Sequence, residues 1–142
     1  MRHSGASIRR WASAALAVLA ALACADARTA PPSVILGEWG GDHAGLVATP
    51  DSGMLEYDCA TGRITEPLRP RSDGSVTALG THTPGHGGPV RIDEVPARRP
   101  ARYTGRVEGD QLSLTVVLTD SAVTVGTFVL VRGRSPHVVK CL

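Results

Sequence analysis

Apolar and polar residues alternate along residues 101–132, and two turn signals cut that run into three strands. Gly109-Asp110 has the composition of a two-residue hairpin turn. It sets Glu108 against Gln111 and, working outward, Val107 against Leu112, Gly105 against Leu114 and Tyr103 against Val116. Asp120-Ser121 closes the next hairpin in the same way, placing Leu118 opposite Val123, Val116 opposite Val125 and Leu112 opposite Val129. From Val107 and Leu112 outward, all of these residues share one face. Arg102, Thr104, Arg106, Ser113, Thr115, Thr119 and Thr124 occupy the other, so the register predicts one dry side and one wet side. Phe128 and Leu130 fall on the wet side, where they either pack the C-terminal segment or mark a partner surface. The abundance of Val and Thr argues against a helix, because their branched side chains lose rotamer freedom against a helical turn and pack well on a pleated surface.

The same reading extends upstream. Residues 35–39, 44–49, 54–59, 63–68 and 75–82 are predicted strands, divided by Gly40-Gly41-Asp42, Pro50-Asp51-Ser52-Gly53, Thr61-Gly62 and Asp73-Gly74. With the three strands above this makes eight, and residues 137–141 add a ninth or return against the first. Short strands at regular spacing with no helical period define an all-β domain. The expected fold is an antiparallel eight-stranded meander barrel, with a β-sandwich as the alternative. Closure is preferred because it removes the two edges that an open meander exposes. Residues 83–100 form the one long loop, rich in Pro and Gly. Its Arg91, Arg98 and Arg99, set against Asp93 and Glu94, read as solvation, with anion binding as the second option.

The N-terminus has a different character. Arg2, Arg9 and Arg10 precede an uncharged Ala- and Leu-rich run over residues 11–23, the pattern of a secretory signal over residues 1–23 and too short to span a bilayer. Ala20-Ala21-Leu22-Ala23-Cys24 resembles a lipobox, in which the cysteine becomes lipidated after cleavage, although Ala21 stands where leucine is usual. Ordinary signal-peptidase cleavage after Ala25-Asp26-Ala27 stays open as the alternative. Residues 24–33, with Pro31-Pro32, then form a lipid-anchored tether, and residues 34–142 the barrel domain. The implied location is the bacterial cell envelope, at the outer membrane and facing the periplasm, or a secreted or periplasmic state if Cys24 is removed.

Loss of the signal also changes the charge. Fifteen Lys and Arg minus the three in the signal leave twelve, against thirteen acids, so the mature chain sits near minus one. The sequence pI of 8.6 therefore belongs to the signal and gives no support for a nucleic-acid partner. With Cys24 lipidated, Cys59 and Cys141 remain as an even pair in an oxidising compartment, and a disulfide is expected between them.

Gly37-Glu38-Trp39 resembles the Gly-x-Trp at the start of lipocalin and calycin barrels, where the tryptophan packs across the closed end. Thr119-Asp120-Ser121 partly matches their Thr-Asp-Tyr turn, and a C-terminal cysteine bridged to mid-barrel is familiar from the same family. The layout from Trp39-Gly40-Gly41-Asp42-His43 through Tyr103-Thr104-Gly105 to Cys141 is also similar to small bacterial lipoproteins, a resemblance that implies no activity. Trp39 and Tyr103 are then either barrel core or a platform for a small ligand.

Candidate chemistry is sparse. His43, His82 and His86 could converge at one end of a barrel beside Asp42 and hold zinc for a small hydrolase; otherwise they are exposed loop histidines. Gly85-His86-Gly87-Gly88 resembles an esterase oxyanion segment, but the sequence has no Gly-x-Ser-x-Gly elbow to serve it. The expected protein is a membrane-anchored binding or envelope-structural barrel without catalysis or cofactor. Its partners are the membrane and a small ligand or envelope protein. The metal-dependent hydrolase is the alternative.

Overall fold

The computed structural model describes residues 33–89 and 91–142; the expected signal peptide, Cys24 and nearly all of the tether lie outside them. Eight strands follow one another: β1 (Gly37–Gly41), β2 (Ala44–Ala48), β3 (Gly53–Tyr57), β4 (Ala60–Ile64), β5 (Ser75–Pro84), β6 (Arg99–Glu108), β7 (Gln111–Leu118) and β8 (Thr124–Arg132). Each pairs antiparallel with the next, and β8 returns to β1, so the meander closes into a barrel. The turns after β1, β3, β5 and β7 form one end, called the rim here; the connections after β2, β4 and β6 form the base.

Alternation fills the interior. Trp39, Leu46, Leu55, Ile64, Tyr103, Leu112, Leu114, Val116 and Leu130 point inward and are buried, and truncating a buried Leu of this kind costs about 2–5 kcal/mol. The barrel is solid through its middle. Trp39 packs under the Arg132 guanidinium, 4.3 Å from the ring centroid, and its Nε1 donates to the Leu36 carbonyl at 3.1 Å. Ile35 and Leu68 close the base beside it, with the Ile35 N–H bonded to the Leu68 carbonyl at 2.8 Å.

The β6–β7 hairpin matches its sequence register residue for residue, from Glu108 opposite Gln111 to Tyr103 opposite Val116. The β7–β8 hairpin does not. It starts as expected, with the Leu118 N–H bonded to the Val123 carbonyl at 2.8 Å and Val117 opposite Thr124. A bulge then inserts Val125, so that Val116 faces Gly126, Leu114 faces Phe128 and Leu112 faces Leu130. One extra residue exchanges the two faces of a strand. Leu130 is fully buried and Phe128 packs against the core, while Val129 is half exposed on the outer wall.

Three other expectations are corrected. β4 ends at Ile64, and the β3–β4 turn is Asp58-Cys59, because Gly62 faces inward as a strand residue and leaves room for the Tyr103 ring. Cys59 accordingly lies in that turn at φ 53°, outside β3. The long loop shrinks to residues 85–98, since β5 runs on to Pro84 and β6 begins at Arg99.

Residues 133–142 form no ninth strand along the sheet but a strap up the outer wall and across the rim. Gly40 and Gly45 are cross-strand partners whose outer faces carry the strap, and a Cβ on either would collide with Arg134 or Pro136. The strap then joins the rim turns in sequence. His137 bonds both the Gly41 carbonyl (2.9 Å) and the His43 N–H (2.7 Å), and the Val139 carbonyl accepts from the Cys59 N–H at 3.2 Å. Cys141 completes the expected disulfide to Cys59, with Cα atoms 4.9 Å apart. Closing so long a loop stabilises by about 4–5 kcal/mol in the chain-entropy treatment. Reduction, or a Cys59→Ser/Cys141→Ser pair, is therefore expected to lower the melting temperature by on the order of 10 °C, as thermal denaturation with and without reductant will show. Two titratable thiols in the folded, oxidised protein would refute the bridge.

Candidate functional site

The barrel wall is incomplete at one place. β1 and β8 share only two residue pairs, Trp39 with Arg132 and Gly40 with Val131. Beyond Gly41 the chain turns away through Asp42-His43, while β8 continues up to the rim. The opening is a cleft of about 690 Å³ that passes from the outer wall into the barrel's upper interior, within the size range of small-ligand sites.

Three rings line its inner side. Tyr57, at the end of β3, lies between His82 from β5 (centroids 5.6 Å, planes 9° apart) and Phe128 from β8 (5.2 Å, 27°). Ala60, Pro84, Val125 and Gly126 complete the inner lining, so the surface is apolar and largely flat. The Tyr57 hydroxyl lies 2.5 Å from His82 Nδ1. His82 is only 8 % exposed, yet its Nε2 has no protein partner among the described residues and is not sealed from solvent. Burial, helped by the charge of Arg99 opposite it in the sheet, holds its pKa below the ordinary 6.5, so a neutral imidazole faces the cleft. Burial likewise pushes the Tyr57 hydroxyl up, and takes Tyr103 up to about 12.

The charges around the cleft are paired off. Asp42 meets Arg134 at 3.3 Å, Asp58 meets His43 at 2.5 Å, and Arg99 grips Asp120 at 2.7 and 3.1 Å. The Val139 N–H, and after it His43, hold the Asp58 carboxyl below the usual range; Arg99 does the same for Asp120. His43 at φ 70° and Cys59 at φ 53° border the cleft in left-handed conformations that cost of order 1 kcal/mol for such residues, and the strap fixes both through their N–H groups.

The fold brings His43, His82 and His86 to the rim but gives each a separate partner: Asp58, Tyr57 and Glu94 respectively. No group of three potential metal ligands lies together among the described residues, so the histidines do not assemble the expected zinc set. Different flanking partners turn the three rings apart. Trp39 and Tyr103 are wholly buried, the first under Arg132 and the second donating its hydroxyl to the Thr81 carbonyl at 2.6 Å. Tyr57 and Phe128 were missed from sequence. Tyr57 carried a signal, the inward phase it shares with Leu55, whereas Phe128 was masked by the bulge.

No family model matches this chain, and neither a curated protein nor a solved structure does.

His82 and His86 should respond oppositely to pH. His82 resists protonation only in the folded state, so its contribution is complete above about 6.5 and stability is lost as pH falls below that value. His86 donates to the Gly87 carbonyl (2.9 Å) and to Glu94 (2.5 Å), which raises its pKa, so it favours the fold below about 6.5 and loses that effect as pH rises through its folded value. Imidazole NMR titrations are expected to place His82 below and His86 above 6.5. Denaturation at about pH 5 and about pH 8 should show His82→Gln narrowing the difference in its direction and His86→Gln in the other.

Proposed function

We propose that this is a binding protein of the cell envelope, held to a membrane by lipid on Cys24, that takes an uncharged, largely apolar group into the seam cleft and performs no catalysis. The observation that carries the reading is the opening in the wall of an otherwise packed barrel onto the Tyr57, His82 and Phe128 rings. A planar or aliphatic group can lie against the face of that ring stack, and His82 Nε2 offers one hydrogen bond within the apolar surface. At its border Asp42 pairs with Arg134 and Asp58 with His43, while the inner lining is apolar. Gly37-Glu38-Trp39 at the start of a closed eight-stranded barrel supports a lipocalin-like character. The chain enters β1 at the base, so a tether preceding it leaves the rim cleft pointing away from the membrane.

Binding of the neutral fluorophore N-phenylnaphthylamine to the mature, oxidised chain tests the cleft. Phe128→Ala is expected to weaken it by about tenfold, through lost ring stacking and area, with Val47→Ala on the outer wall unchanged. Equal affinity in all three proteins, or no binding, would count against the site. Separately, the full-length precursor in a bacterial host is expected to take up a palmitate analogue and fractionate with membranes. A Cys24→Ala form behaving identically would sink the anchor.

A further inference from the structure

The cleft is bordered by a length of β8 that pairs with β7 but has no strand paired on its other side among the described residues. In β8 the Arg132 N–H bonds to the Asp110 carbonyl on the β7 side at 2.9 Å. Backbone groups of an antiparallel strand alternate in direction, so the even-numbered residues Phe128 and Leu130 also face β7 and the odd-numbered residues face β1. Two contacts agree with this. The Val131 carbonyl accepts from the Arg134 N–H at 3.2 Å, away from β7, and the Val129 carbonyl abuts Gly41. Above that point β1 has left the sheet, and the N–H and C=O of Thr127 have no strand facing them among the described residues.

We infer that the ligand of the cleft is an extended polypeptide segment, which adds as a short strand against residues 125–129 of β8 and lays an apolar side chain against the stacked Phe128, Tyr57 and His82 rings. This rests on the seam cleft being the binding site and names what it takes. The added strand occupies the line along which β1 would have continued, so it prolongs a ladder that already exists at Gly40–Val131. Backbone pairing supplies the affinity of such an interaction and the pocket beside it supplies the choice of side chain. Residues 121–131 contain no charged residue, and edge strands that avoid partners usually carry one. The inner lining of the cleft is apolar apart from His82 and the Tyr57 hydroxyl, so the segment it takes is uncharged at its centre. A second copy of β8 fits poorly. Two-fold pairing centred on Thr127 would set residue 124 of the other copy opposite Leu130, the place of Gly41 in the β1 register.

The test uses the mature, oxidised chain and capped hexapeptides of threonine with one central Phe, Leu, Lys or Asp, followed by anisotropy and by exchange of the Thr127 amide. The Phe and Leu peptides are expected to bind at least tenfold more tightly than the Lys and Asp peptides. N-methylation of the two β8-facing amides of the Phe peptide should cost at least tenfold, the sum of two backbone hydrogen bonds. Saturating Phe peptide should slow Thr127 amide exchange by at least tenfold. Thr127→Pro, which removes an edge N–H outside the β7 ladder, is expected to abolish peptide binding. An N-methylated peptide that binds equally well would overturn the strand-addition inference, as would a Thr127 amide whose exchange is unchanged. A concentration-dependent dimer that protects Thr127 without peptide would overturn it in favour of the second copy. Failure of every peptide while the fluorophore still binds Phe128-dependently would overturn the polypeptide and spare the cleft; failure of both would remove the cleft itself.

Discussion

Two residue pairs close this barrel, and the rest of the structure is arranged around their small number. Trp39 opposite Arg132 and Gly40 opposite Val131 join the first strand to the last. The same residues seal the base, because Arg132 lies over the Trp39 ring and donates to the Leu36 carbonyl at 3.2 Å. So brief a junction leaves the upper part of β8 paired only to β7 among the described residues. The wall opens there, and the strap spans from outer wall to rim turns that the sheet itself does not hold together. The glycine pair that seats the strap and the disulfide that ends it are consequences of the same short closure.

Much of the fold could be read from local pattern. The Gly109-Asp110 turn fixed a register, and nothing between Ala101 and Leu118 interrupts the alternation, so eight consecutive pairs follow from one turn. The second hairpin shows where such reading stops. Its turn and first pair were legible, but a bulge carries no composition of its own, and the Val125 insertion inverted every later assignment. The apolar character of Phe128 and Leu130 was the available warning. Both sat on the face predicted to be wet, and an aromatic and a leucine two apart on that face were more economically explained by a shifted register than by a partner surface.

The site was less legible than the fold because it is made by an absence. No motif announces that β1 stops pairing at Gly41, and the three rings come from β3, β5 and β8, strands that are not neighbours in the sheet. His82 was singled out for its chemistry but set in the wrong company. Sequence spacing linked it to His86, whereas strand phase turns it inward to Tyr57 while His86 stays in the loop with Glu94.

The path of the chain also sets an order of events for biogenesis. Cys141 is the penultimate residue, and its partner lies 82 positions earlier, so Cys59 is synthesised long before the thiol it pairs with in the native protein. Closure is equally late, since the strand that meets Trp39 is the eighth and last. Until β8 is made, the first seven strands lack the pairing that closes the sheet, and Cys59 lacks its partner. Contacts of such high sequence separation form slowly. The interval between synthesis of β3 and arrival of the strap is the period in which Cys59 is open to mispairing.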